Sequence, residues 1–181
     1  MPLFQTSVLN KYLAEQDKPL LEQQYALYRS YFLNATIQKN IIASKEEEFQ
    51  EGFLRELFVK ILGYTINPEP DFNLKTELKN IKDSKKADGA IVDGEKVLAI
   101  IELKGTDIIN LNQIEIQAFG YKNNQENCKY VITSNFQKLR FYIDNAIEFL
   151  EWDLFKLDFE NFKLLYLCLG KENILKTLPP L

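Results

Sequence analysis

The chain has 181 residues, 46% of them hydrophobic and 13% aromatic, with 22 basic against 26 acidic side chains, a formal charge of −4 and no histidine. That length suits one globular domain with a buried core; no run reaches the roughly 18 apolar residues of a membrane span, and Met1–Asn10 lacks the basic start and apolar centre of a signal peptide, so a cytoplasmic location is expected. Without histidine there can be no His-based triad, HNH-type nuclease or His-ligated zinc, and net negative charge argues against a free-standing, tight nucleic-acid binder.

The first forty residues read as helix, chiefly from Lys18 to about Ile37, with Pro19 in a first turn and Leu21, Tyr25, Tyr28 and Phe32 recurring at three and four. An aromatic stripe with this spacing predicts core packing rather than a stacking platform for bases. A second helix is predicted over Lys45–Leu62, stopped by Gly63, with Phe49, Phe53, Leu57, Phe58 and Ile61 as its buried stripe. At about 100° per residue, Glu46, Glu47 and Gln50 fall on or near that apolar side. Ser44-x-x-Glu47 also has the form of a capping box, which gives Glu47 an alternative, structural use.

Pro68 and Pro70 mark a loop or extended edge over Tyr64–Asp71, and Phe72–Lys79 reads as the first strand. Lys75, Lys79, Lys82, Lys85 and Lys86 then lead into Asp88 as a basic stretch, either a solvated edge or a surface that tracks phosphates without reading bases. Lys86–Val92 and Lys96–Lys104 are strand-like runs separated by Asp-Gly, a hairpin signal. The second run is apolar on both parities from Val97 to Ile101, as in a strand covered on both faces, and Glu102 and Lys104 share a face at its end. A carboxylate and an ammonium there are costly without a partner or a metal.

Leu111–Lys122 is predicted to be a helix, hence a crossover to the next strand, with Gln117 and Tyr121 four apart on one face. Lys129–Ser134 and Leu139–Ile143 read as a second hairpin, Ile147–Trp152 as a further strand, and Phe159–Leu169 as a closing helix. Cys128 and Cys168 lack metal-ligand spacing and read as buried reduced thiols.

ADGAI (87–91) followed by IELKG (101–105) resembles the PD-(D/E)xK nucleases. With EEEFQEGFLRELFVKILGY upstream and QAFGY, YVITSN and LRFYIDN downstream, the chain from about Ser44 to about Gly170 resembles the N-terminal cleavage domain of single-chain type IIG restriction-modification enzymes, and more distantly the nuclease region of type I restriction subunits. Ala87 stands where the family motif has proline. The resemblance implies a three-layer α/β/α restriction-endonuclease-like fold with a mixed sheet and an αβββαβ core, in which residues 1–43 form a helical cover, 44–170 the core with its C-terminal helix, and 171–181 a domain exit. It also implies a Mg²⁺-dependent deoxyribonuclease, Mn²⁺ substituting, with double-stranded DNA as substrate. Asp88, Glu102 and the carbonyl of Leu103 are then the metal ligands and Lys104 completes the catalytic set. Glu47, or else Glu46, reaches the metal from the helix, Gln117 and Tyr121 help place the DNA backbone, and Lys85 and Lys86 contact it. The expected setting is the amino-terminal part of a longer polypeptide joined after about Leu178 to methyltransferase and specificity domains. Two other readings stay open: a catalytically silent nuclease-like module that only binds DNA or partner domains, and a repair or exonuclease-type enzyme of the same fold; at the level of the residues, Glu102 and Lys104 can also be a strand-end ion pair with an architectural role.

The shared metal site imposes a condition on register. An unbroken two-residue Asp93-Gly94 turn pairs Asp88 with Ala99 and puts it on the face opposite Glu102. The hairpin is therefore expected to contain an odd-length loop or a compensating bulge.

Overall fold

The computed structural model describes residues 3–80 and 85–179; Lys82 of the basic stretch and the last two residues of the exit segment lie outside them. Four helical segments come first: α1 (Thr6–Glu15), α2 (Lys18–Phe32), α3 (Ala35–Ala43) and α4 (Glu46–Phe53), which runs on as a π-helical stretch, Leu54–Ile61. The helix expected to run from Lys18 to Ile37 is instead two helices. Asn34 adopts an extended conformation and its side chain accepts from the N–H groups of Thr36 and Ile37, so it caps α3 and ends the continuity of α2. Asp17 does the same for α2 through the Leu20 N–H, and Gly63, with φ 87°, follows the π-helical stretch where the sequence predicts a stop.

A six-stranded mixed sheet follows, its strands in spatial order β1 (Leu74–Lys79), β2 (Lys86–Asp93), β3 (Lys96–Leu103), β4 (Tyr130–Ser134), β5 (Lys138–Ile143) and β6 (Phe149–Asp153). Neighbours are antiparallel except β3 and β4, which are parallel and joined through helix α5 (Asn112–Lys122). Helices α6 (Phe159–Leu169) and α7 (Lys171–Leu175) close the chain; α7 was not expected from the sequence.

Helices cover both faces of the sheet. Ala99, Ile101 and Leu103 of β3, with Tyr130 and Ile132 of β4, join Tyr28, Phe32, Phe53, Phe58 and Phe162 in the main core. Ile100 of β3 instead packs with Tyr121 of α5 and with Cys128, while Val131 of β4 packs with Ala118. The continuous apolar run of β3 is explained by these two clusters. The α2 stripe is core: Tyr28 and Phe32 have no exposed surface, and Tyr25 packs against Phe159 and Phe162. Both cysteines are buried and unbridged. Among the described residues no helix is long and apolar enough to cross a membrane.

Candidate active site

The hairpin of β2 and β3 turns through Gly94 and Glu95, since Asp93 lies opposite Lys96 and Val92 opposite Val97. Gly94 supplies a φ of 58° at the first central position, as a II′ turn requires. An unbroken ladder from this turn would set Asp88 against Ile101, on the wrong face. Instead Ile91 lies opposite Ala99, Ala90 opposite Ile100 and Gly89 opposite Ile101, so β3 carries one extra residue at Leu98. Two consecutive residues, Leu98 and Ala99, accordingly enter the main core, while Val97 and Ile100 on either side pack in the other cluster. Carried one step further, the register brings Asp88 opposite Glu102. Of the two devices expected, the hairpin uses the bulge.

Asp88 sits where the ladders on both sides are disturbed. Its Oδ2 accepts from the Leu103 N–H at 2.7 Å. On β1, Glu77 falls between Thr76 (opposite Gly89) and Leu78 (opposite Ala87) with φ 54°, a strained conformation for a non-glycine residue.

The N-terminal turn of α4 reaches this strand end. Lys104 Nζ lies 3.3 Å from Glu46 Oε1 and 3.3 Å from Glu102 Oε1. Gln50 Nε2 contacts Glu46 Oε1 at 3.1 Å and Asp88 Oδ1 at 3.3 Å. One amide and one ammonium thus tie together three carboxylates from α4, β2 and β3. The Lys104 main chain is fixed by its N–H donating to the Ser134 carbonyl at 2.9 Å. Glu102 is 1% exposed and its Oε2 has no hydrogen-bond partner among the described residues. Burial pushes its carboxyl up to about 7; Asp88 adds to the rise and Lys104 opposes it. Burial also raises Asp88 above its ordinary value, against the lowering effect of the Leu103 N–H and Lys104. For Lys104 burial favours the neutral amine, but Glu102, Asp88 and Glu46 outweigh it and raise the pKa, so the side chain is a firmly held cation.

The structure brings together Asp88, Glu102, Leu103 and Lys104. It brings Glu46 to them and leaves Glu47 exposed on another side of the helix. Neither expected use of Glu47 matches its position, and the reason is local. The Ser44 hydroxyl donates to the Asn40 carbonyl at the end of α3, so the α4 cap moves to Lys45, whose N–H donates to Glu48 at 2.8 Å. Gln50 was placed with Glu46 on or near the apolar side of the helix, but its bridging role was missed, although i, i+4 spacing from Glu46 was the available signal. Gln117 donates to the Tyr121 hydroxyl at 3.2 Å, and both line a groove of about 650 Å³ beside α5 together with Lys85 and Gln113, apart from the carboxylate cluster. Lys86 pairs with Glu77 at 2.9 Å on the surface. Among the described residues no group of three or more acidic or thiol side chains is disposed to hold a metal ion.

Comparison of the chain with protein-family models, with curated proteins and with solved structures finds no match.

Proposed function

We propose that this chain is a metal-dependent deoxyribonuclease domain of the PD-(D/E)xK type, with a restriction-endonuclease-like fold, acting as the cleavage module of a restriction-modification system. The observation that supports it most is the Leu98 bulge, because it aligns Asp88 with Glu102 and Lys104, which the turn alone would have separated. The donor set fits a hard divalent cation: the Leu103 carbonyl and two carboxylates, one of which, Glu102, has a buried oxygen without a partner among the described residues. Asp88, Glu102 and the Leu103 carbonyl would hold Mg²⁺, whose contribution when bound is Lewis-acid polarisation of a phosphodiester and activation of water.

The chain's own residues do the rest. Lys104, kept protonated by its carboxylate neighbours, is suited to donate hydrogen bonds and to stabilise negative charge developing on the scissile phosphate, not to accept a proton. Gln50 orients the Asp88 and Glu46 carboxylates. The Leu103 N–H fixes Asp88 Oδ2. Net charge of −4 gives weak, sequence-independent affinity for duplex DNA, which fits a module that depends on linked specificity and methyltransferase domains. The bridge from Lys104 to both Glu46 and Glu102 also suits a silent module held by an architectural ion pair.

Cleavage of supercoiled plasmid by the 181-residue chain, with and without Mg²⁺, separates the two readings. Cutting that requires Mg²⁺ and falls at least about a hundredfold in a folded Lys104→Ala variant is the expected result. A Lys104→Ala protein that cuts like the parent would remove the assignment.

A further inference from the structure

Among the described residues, two that bury an oxygen without a hydrogen-bond partner are neighbours on adjacent strands of the sheet. Glu102 on β3 is in register with Thr133 on the parallel strand β4. Registered residues of adjacent strands share a face, with backbones about 4.8 Å apart. Glu102 is 1% exposed and Thr133 fully buried, and both Glu102 Oε2 and Thr133 Oγ1 are unpartnered among the described residues. Each such atom carries an uncompensated desolvation cost unless something satisfies it. Other buried side chains of the same strand do find partners: Ser134 Oγ donates to the Lys138 carbonyl at 2.7 Å, and Tyr130 donates to the Pro179 carbonyl.

We infer that Thr133 is a positioning residue for Glu102: its hydroxyl donates to Glu102 Oε2, directly or through one water, when the carboxylate turns from Lys104 to take the divalent cation. Lys104 now engages only Oε1. Rotating the Glu102 side chain toward the metal side shifts Oε2 relative to β4, and a threonine hydroxyl, which can both donate and accept, is the polar group beside it. A hydrogen bond there would fix the ligand's orientation in the way partners of ligating carboxylates do elsewhere. The inference rests on the metal-dependent reading proposed above.

The test is a thermal-shift titration of the full chain with Mg²⁺ and Mn²⁺, in the parent, Thr133→Val and Thr133→Ser. Valine keeps the shape and deletes the hydroxyl. Without metal, Thr133→Val should melt at or above the parent temperature, because it removes a buried, unpaired polar atom. With metal, its half-saturating concentration should rise about tenfold or more, whereas Thr133→Ser should stay within about twofold of the parent. A valine variant that responds to metal like the parent overturns the positioning role while leaving the nuclease reading intact. So does one that melts lower without metal, since the hydroxyl would then be paired already. A parent with no response to either cation sinks the metal reading, and this inference with it.

Discussion

The aromatic core beneath α2 and α6 and the charged end of the β2–β3 hairpin bury polar groups by opposite rules. In the core, Tyr28 donates to the Leu154 carbonyl and Tyr64 donates to the Leu169 carbonyl at 2.7 Å, so each ring is buried with its hydroxyl satisfied. At the hairpin end, acids are crowded until burial lifts their pKa values, and Glu102 and Thr133 keep oxygens without partners. The first region is arranged for stability. The second retains unfavourable electrostatics of the kind found where a ligand or a charged substrate completes the set.

Truncation in the first region should give the largest stability effect. Phe53 has no exposed surface and its ring meets Phe32, Phe49, Phe58 and Phe136. Phe53→Ala should cost about 3–5 kcal/mol in denaturant unfolding. A loss below about 1 kcal/mol would mean that this cluster is not what holds the helices to the sheet.

Neutralising the second region should act in the other direction. The raised Glu102 pKa means that the folded protein binds this proton more tightly than the unfolded chain between about 4.5 and about 7, so its contribution to stability is full below that window and is lost as pH rises through it. Glu102→Gln, which stays neutral, should therefore be more stable than the metal-free parent at about pH 8, by roughly 3 kcal/mol, with the gap closing toward about pH 4.5. Melting curves across that range check it; a variant less stable at every pH would show that the ion pair with Lys104 outweighs the burial cost.

The smallest contrast is between neighbours on α4. Glu46→Gln should slow Mg²⁺-dependent cleavage about tenfold by removing one of the carboxylates on Lys104. Glu47→Gln, at an exposed position, should leave cleavage unchanged and shift stability by less than about 0.5 kcal/mol. Equal effects at both positions would break the distinction.

Much of this layout was legible in the residues. The strands, the crossover helix, the α4 stripe and the need for a register device all follow from periodicity, turn chemistry and face parity. What stayed hidden was decided by competition between near-equivalent local choices. Val97 to Ile101 are all apolar, so nothing in their identity says which of them the bulge adds, and only packing puts both Leu98 and Ala99 in the main core. Ser44 is a good cap for α4, yet it serves the end of α3, so the capping box closes on Glu48 and Glu47 loses its capping use. Asn34 breaks the first long helix through side-chain bonds that its helical neighbours do not advertise. Thr133 reads as an ordinary β-branched strand residue until its hydroxyl is found without a partner.

The Leu98 bulge also leaves slack in β3. The span Val97–Ile101 offers five residues to the four on β2, Val92 to Gly89, that lie against it. A chain lacking any one of those five could close into an even ladder with the turn unchanged, and Asp88 would still arrive opposite Glu102. Natural length variation between turn and carboxylate is thus expected to be tolerated by one residue and no more, and a second deletion would drag the carboxylate out of alignment while every charged side chain remained in the sequence.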